Sequence, residues 1–277
     1  MNKIIVPIDF SEYSDYALEV AANLAKANNA EILALHMLEI SESLVNKAEG
    51  SDYSEALFFM KLAKKKFENF LEKDYLEGVK VTDIVQYHKV FSEVNNTAIE
   101  QGADLIVMGS HGASGAKELF VGSNAEKVVR NSELPVLVVK QRRKDFSANK
   151  VVFASDFKRD NVRPYLNAMS LFKKIKADVS LLYVNLPNES FKDSDEIEKQ
   201  LKEFFIKADG NTDNMKKVTV RNDYSVEKGL FAHGQKVDAD VLAIPTHGRK
   251  GLSHFFIGSI GEDIVNHANT PVMTFKI

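Results

Sequence analysis

The run Lys3-Ile4-Ile5-Val6-Pro7-Ile8-Asp9-Phe10 occurs twice in this chain, returning as Lys150-Val151-Val152-Phe153-Ala154-Ser155-Asp156-Phe157. Three further runs return in the same order. Leu33-Ala34-Leu35-His36-Met37 is matched by Leu181-Leu182-Tyr183-Val184, and Ala103-Asp104-Leu105-Ile106-Val107-Met108 by Ala239-Asp240-Val241-Leu242-Ala243-Ile244. Pro135-Val136 is matched by Pro271-Val272. A repeat this long restricts the fold to two homologous domains rather than a solenoid of small units. The domains are placed at 1–141 and 148–277, and the basic polar run Gln141-Arg142-Arg143-Lys144-Asp145 links them. A charge run of that kind is expected to be simply solvated.

Within each half, apolar runs alternate with helical patterns. Lys3–Ile8 and Glu31–Leu38 read as strands buried on both faces, as in a parallel sheet. Ser11 is placed to cap a helix carrying Ala17, Leu18, Ala21, Leu24 and Ala25 at helical spacing. Residues Ser41 to Ser54 are polar and lack periodicity, which predicts a mobile loop or weak helix. Ala56 to Leu76 reads as an amphipathic helix with Leu57, Met60, Ala63, Phe67, Phe70 and Leu71 inward. Val79 to His88 alternates, as a more exposed strand does. Val94 to Gln101 reads as a short helix stopped by Gly102. Ala103–Val107 and Pro135–Val139 are the remaining strands of the first half. Strands alternating with helices predict a parallel α/β sheet.

The chain has 277 residues, enough for one large or two ordinary domains. Its net charge of −3 gives no broad attraction to nucleic acid or to an anionic membrane. Cysteine is absent, which excludes disulfides, thiolate catalysis and Cys-ligated metals. Asp9 and Glu12 interrupt the N-terminal apolar run, so no signal-peptide pattern is visible. No apolar run approaches membrane-spanning length. The expectation is a soluble cytoplasmic protein.

The stretch with most chemical content is Met108-Gly109-Ser110-His111-Gly112, followed by Gly115 and Gly122-Ser123. It lies between a buried strand and a helix that begins near Asn124. A strand, a glycine-punctuated loop and a helix N-terminus together form an anion site, because glycine lets backbone approach a ligand and the first helical N–H groups are unsatisfied. Glycines after a strand also make ordinary turns. The spacing recurs as His247-Gly248, Gly251 and Gly258-Ser259. A shared fold holds such a register too, so repetition alone does not assign a ligand to both halves. No G-x4-G-K-[ST] and no G-x-G-x-x-G after a first strand is present. His111 and His247 lie in the two loops, where each supplies either acid–base chemistry or only backbone. The other histidines lack zinc-like spacing, and neither a metal site nor a catalytic residue is singled out.

Gly109-x2-Gly112-x9-Gly122-Ser123, after a strand whose partner ends in Pro7-Ile8-Asp9, resembles the universal stress protein family, in its tandem form and its ATP-binding branch. The resemblance covers essentially the whole chain. It implies two tandem open five-stranded parallel sheets flanked by helices, Rossmann-like and of the adenine nucleotide alpha hydrolase-like type, related by a pseudo-two-fold. It places ATP, or ADP or AMP, over the carboxyl ends of the strands, where open α/β sheets bind ligands at a topological switch point. By the same resemblance, Ile8 backbone and the Asp9 carboxylate meet adenine and ribose, a carboxylate being able to accept two hydroxyl hydrogen bonds. Met37 packs on the adenine, Met108, Gly109 and Gly112 line the ribose and phosphate path, and Gly122, Ser123 and Asn124 hold phosphates. Two of these residues have structural alternatives: Asp9 as an Asx-type cap and Met37 as core filler.

The second half keeps Asp156, Val184, Gly248, Gly258 and Ser259 but has Pro245 in place of the first motif glycine. Proline has no N–H and fixes φ negative, so a donated bond or positive φ is lost there. That site binds ATP weakly, binds something else, or is empty. The leading reading is an ATP-binding regulatory protein of the stress response. The alternatives are a slow ATP hydrolase or phosphoryl-transfer enzyme, with Asp9 holding Mg²⁺ and Ser123 or His111 assisting, and an interaction scaffold without obligatory nucleotide. In the resembled fold Pro135–Val139 and Pro271–Phe275 are edge strands. An unpaired apolar edge invites aggregation, and a short linker favours pairing within the molecule, so these two strands are expected to meet. Dimerisation of the whole chain is left undecided.

Overall fold

The computed structural model describes residues 1–38, 51–87, 93–111, 123–246, 264–265 and 267–277. The first half contains β1 (Lys3–Pro7), α1 (Glu12–Asn28), β2 (Glu31–Leu38), α2 (Ser51–Leu71), β3 (Val81–Tyr87), α3 (Val94–Glu100), β4 (Leu105–Gly109), α4 (Ser123–Asn131) and β5 (Val136–Val139). The second contains β6 (Lys150–Ala154), α5 (Val162–Lys174), β7 (Asp178–Asn185), α6 (Ser194–Asp209), β8 (Val218–Asn222), α7 (Val226–Val237), β9 (Val241–Thr246) and β10 (Val272–Lys276). No described helix is long and apolar enough to cross a membrane.

All ten strands form one sheet in the order β3-β2-β1-β4-β5-β10-β9-β6-β7-β8. The order is a palindrome: each half is an open parallel sheet, and the halves are related by a pseudo-two-fold at the centre. There β5 and β10 pair antiparallel, with Leu137 opposite Met273 and Val138 opposite Val272. The edge strands therefore meet as the sequence requires. The absent N–H of Pro135 costs nothing, because its carbonyl still accepts from the Ile106 amide; Pro271 does the same for Leu242.

Alternation along the strands divides the core into two layers. Ile4, Val6, Ile32, Leu137, Val151 and Met273 face α1, α2, α5 and α6. Ile5, Leu33, Ile106, Val138, Val152 and Leu242 face α3, α4 and α7. Both layers run across the seam, so the domains share their cores. Ser11 caps α1 by accepting from the Ser14 amide, and Asn29, at φ 50°, ends it. Gly102 follows α3 with φ +66°, a conformation that suits glycine.

Three boundaries differ from the sequence reading. The helix expected over Ala56–Leu76 begins at Ser51 and ends at Leu71, and Asp74–Leu76 forms a separate 3₁₀ turn. The expected strand from Val79 begins at Val81. The polar stretch expected over Ser41–Ser54 lies outside the described residues up to position 50, as do the side-chain placements of Leu57 and Met60.

The linker is more than solvated charge. Arg142 makes a two-pronged contact with Glu19 of α1 through Nε and a terminal nitrogen, at 2.8 and 3.2 Å. The Glu19 carboxylate is almost wholly buried, and a buried carboxylate needs such a partner. Arg143 donates to the Asn269 carbonyl, and Lys174 meets Asp104 across the seam at 2.9 Å.

Leu137 is fully buried at the seam. Leu137→Asp is expected to destabilise the chain by more than about 4 kcal/mol and to promote aggregation, since it buries an unpaired charge and exposes an apolar edge. Chemical denaturation and sedimentation velocity measure both effects.

Candidate functional site

In each half the strand order reverses direction between the first strand and its neighbour. β1 and β4 are in register only at Ile4–Leu105 and Ile5–Ile106, and beyond those pairs they part. The crevice opens at their carboxyl ends, at the switch point. Pro7, Asp9, Ser14, Met108, Gly109, His111 and Asn124 line one cavity there, which encloses about 20 Å³.

Six residues singled out in the sequence thus come together: Pro7, Asp9, Met108, Gly109, His111 and Asn124. Ser123 begins α4, the helix whose N-terminus carries Asn124. Two others are placed differently. Ile8 is buried, with its amide bonded to the Leu35 carbonyl and its own carbonyl accepting from His36. Met37 is buried in the apolar layer with Leu35 and Ile106, the core-filler position. Gly112, Gly115, Gly122, His247, Gly248, Gly251, Gly258 and Ser259 lie outside the described residues.

Asp9 has the Asx-turn geometry. Its Oδ1 accepts from the Ser11 amide at 3.0 Å and the Ser11 hydroxyl at 2.6 Å. The carboxylate therefore braces the residue that caps α1 while lining the cavity. Phe10, the next residue, sits at φ +66°, and its counterpart Phe157 at φ +48°. A bulky side chain in this region costs about 1–3 kcal/mol and needs surrounding structure to hold it. The aromatic layer does so. The Phe10 ring lies 4.5 Å from His36 and 5.6 Å from Phe70, with the Lys66 ammonium 4.4 Å above it. Phe157 is packed 5.2 Å from Phe204 and 5.7 Å from Phe205. The left-handed turn swings the chain from the strand end into the helix and carries the aspartate over the crevice mouth.

Gly109 has two reasons to be glycine. A Cβ there would lie 2.7 Å from the backbone carbonyl atoms and Cβ of Tyr13, at the start of α1. The amides of Ile106 and Ser110 both point to β5, so strand alternation turns the Gly109 N–H the other way, toward β1 and the crevice. Next to it, the buried Ser110 hydroxyl meets His111 Nδ1 at 2.8 Å, and the His111 ring lies 4.9 Å from that of Tyr13. The imidazole is held by both contacts, so His111 contributes a placed side chain as well as backbone. Ser14, which donates its hydroxyl to the Ser11 carbonyl, was not legible as a lining residue, because its pattern in sequence is that of an ordinary first helical turn.

In the second half Asp156 and Val184 line a separate crevice with Ala154, Tyr183, Val226 and Ile244. A 3₁₀ turn at Arg159–Asn161 precedes α5, so the helix begins later than α1 does. Pro245 stands in β9 at the position of Gly109. By the same alternation its missing N–H faces the crevice, past the last β6–β9 pair at Phe153–Ala243.

A family model described as the universal stress protein family matches residues 1–140 and again 148–276. The chain belongs to the universal stress protein family. Single-domain relatives align with about half of it. One from Methanocaldococcus jannaschii is 34% identical over 154 residues, 52% of this chain and 85% of the relative. Universal stress protein YxiE of Bacillus subtilis is 36% identical over 146 residues, 50% of this chain and 99% of its own. A solved universal stress protein from Archaeoglobus fulgidus covers 99% of this chain and 96% of its own, with TM-score 0.63 and 22% identity, a likeness of fold. The tandem sheet architecture is therefore that of this family.

Two outcomes follow from the site geometry. Gly109→Ala is expected to destabilise the fold by roughly 1–3 kcal/mol in urea titrations, from overpacking against Tyr13. His36, which donates Nδ1–H to the Ile8 carbonyl at 2.7 Å, is held below its ordinary pKa of 6.5 by burial. Below pH 6.5 the unfolded chain takes up a proton that the folded chain resists, so stability falls as pH drops through that value. Between pH 7.5 and 5.5 the wild type is expected to lose more stability than His36→Gln, measured by denaturant midpoints at each pH.

Proposed function

We propose that this universal stress protein is a cytoplasmic ATP-binding regulatory protein that holds one adenine nucleotide per chain, in its first domain. One observation carries the reading. Asp9, Met108, Gly109 and Asn124 converge on a single cavity at the switch point, beside the N-terminus of α4. Asp9 suits the ribose hydroxyls as an acceptor. The Gly109 amide faces the crevice, and the first turn of α4 offers N–H groups and a dipole to phosphates. ADP or AMP uses the same ribose contacts, and Mg²⁺ accompanies the phosphates where it is bound. Grip of this kind, from backbone and a helix terminus, retains a nucleotide without activating water. Pro245 removes the corresponding amide from the second domain, which supports the asymmetry.

A second reading, slow ATP hydrolysis, rests on His111. Its Nδ1 is engaged by Ser110, which leaves the ring oriented in the same cavity.

Calorimetric titration with ATP is expected to give a stoichiometry near one per chain. Asp9→Asn keeps an acceptor oxygen for Ser11 and removes the charge. It should weaken ATP by about tenfold or more, while Asp156→Asn leaves the affinity unchanged. Two equal tight sites per chain would contradict the assignment. Multiple turnovers per second in a purified-protein ATPase assay would favour the enzymatic reading.

A further inference from the structure

The crevice of the second domain is built differently from that of the first. It encloses about 60 Å³ and is walled by Ala154, Tyr183, Val184, Leu186, Val226 and Ile244. Among the described residues its charged lining is Lys158, Lys192 and Asp156. The Asp156 carboxylate is already engaged. Oδ1 accepts from the Lys158 amide and the Asn161 side chain, and Oδ2 meets the Lys158 ammonium at 3.3 Å.

Lys192 is held over this crevice by a network of its own. The buried Asn185 accepts from the Lys192 amide at 3.1 Å and donates to its carbonyl at 3.0 Å. The Lys192 ammonium donates to Gln200 Oε1, and Gln200 Nε2 donates in turn to the Asp156 carbonyl. The cation is thus fixed by partners that leave its charge uncompensated, since Gln200 is neutral. Beyond Leu186 the crevice continues into an open groove in which Pro187, Phe191 and Tyr224 lie beside Asn185, Asn222 and Asp223. Phe191 is 59% exposed and Tyr224 83% exposed. Large aromatic rings left in water beside an apolar slot mark a place where apolar matter binds.

We propose that the second domain binds an amphipathic monoanion, an apolar chain ending in a single carboxylate. Its head lies at Lys192, and its body against Val184, Val226 and Ile244. The carboxylate pairs with the Lys192 ammonium, and the chain removes the crevice walls and, when long enough, Phe191 and Tyr224 from water. The inference is independent of nucleotide binding in the first domain.

The test uses the full chain with ¹³C-labelled Ile, Leu and Val methyl groups, titrated with decanoate below its micelle-forming concentration. The methyls of Ile244, Val184, Leu186 and Val226 are expected to shift saturably, while those of Val107 and Leu137 stay in place. Decanol should bind about tenfold more weakly than decanoate. Lys192→Met, which keeps the stem, should weaken decanoate about three- to fivefold and leave decanol unchanged. Shortening the chain to hexanoate should weaken binding further. Absence of saturable shifts at millimolar decanoate overturns the proposal, as does equal affinity for decanoate and decanol. Perturbation of the same methyls by ATP at the affinity it shows for the first domain would make the crevice a second nucleotide site and overturn it too. The wild-type methyl readout decides the matter even if Lys192→Met fails to fold, and ATP calorimetry on the same sample scores the first domain separately.

Discussion

An open parallel sheet has to end somewhere, and its last strand presents a row of unpaired amides and carbonyls beside apolar side chains. In this molecule β5 is such a strand, with all four of its residues buried, and β10 is its counterpart. Neither can be left in water without inviting pairing with another chain. Their antiparallel union disposes of both edges at once and fixes the pseudo-two-fold. It also makes each apolar layer continuous from one half to the other. Around that union Lys174 meets Asp104 and Lys276 donates to the Asn131 carbonyl from one half to the other, while the linker's Arg142 and Arg143 hold Glu19 and Asn269. The carboxyl ends of both sets of parallel strands are thereby placed in fixed relation, and with them the two crevices.

The halves have diverged at those crevices. Gly109 and the early start of α1 belong together, because only glycine allows Tyr13 so close. In the second half Pro245 takes the place of that glycine and a 3₁₀ turn precedes α5. The consequence is chemical. The first crevice has an amide directed into it, and the second has apolar walls and a lysine pair. By contrast the left-handed phenylalanine after each aspartate is kept, with an aromatic cluster under each ring.

Much of this was legible in the sequence. The repeat disclosed two domains and the unbroken apolar runs disclosed parallel strands, while the seam followed from the family resemblance. Met108, Gly109 and Asn124 stood out as one strand–loop–helix stretch, because such a stretch keeps its residues close along the chain; Asp9, far earlier in the chain, came from the resemblance, and the structure brings it to the same crevice. Ile8 and Met37 were less accessible. Both end or follow strands, and side-chain alternation sends one of two neighbours into the core; the sequence does not say which neighbour faces the ligand. The role of Arg142 was hidden because its partner, Glu19, lies more than a hundred residues away inside an otherwise apolar helix face. The Lys192–Gln200–Asp156 network has no local pattern either, since α6 brings Gln200 back to a turn formed forty-four residues earlier.

The repeat also separates what the fold requires from what a ligand requires. Asp104 accepts from the amides of Asn2 and Lys3, and Asp240 accepts from those of Asn149 and Lys150. Both clasp the start of a first strand at the end of the sheet far from the crevices, and both are retained. A contact that serves only the sheet is needed equally in each half. A contact that serves a ligand is needed only where that ligand binds. Ile8 against Ser155, Met37 against Val184, Gly109 against Pro245 and Tyr13 against Asp160 all fall at the crevice end. The sheet body differs too, as at Leu137 against Met273 and Val139 against Phe275, but those exchanges keep an apolar core; Ile8 against Ser155, Gly109 against Pro245 and Tyr13 against Asp160 change polarity, an amide donor or charge beside a crevice.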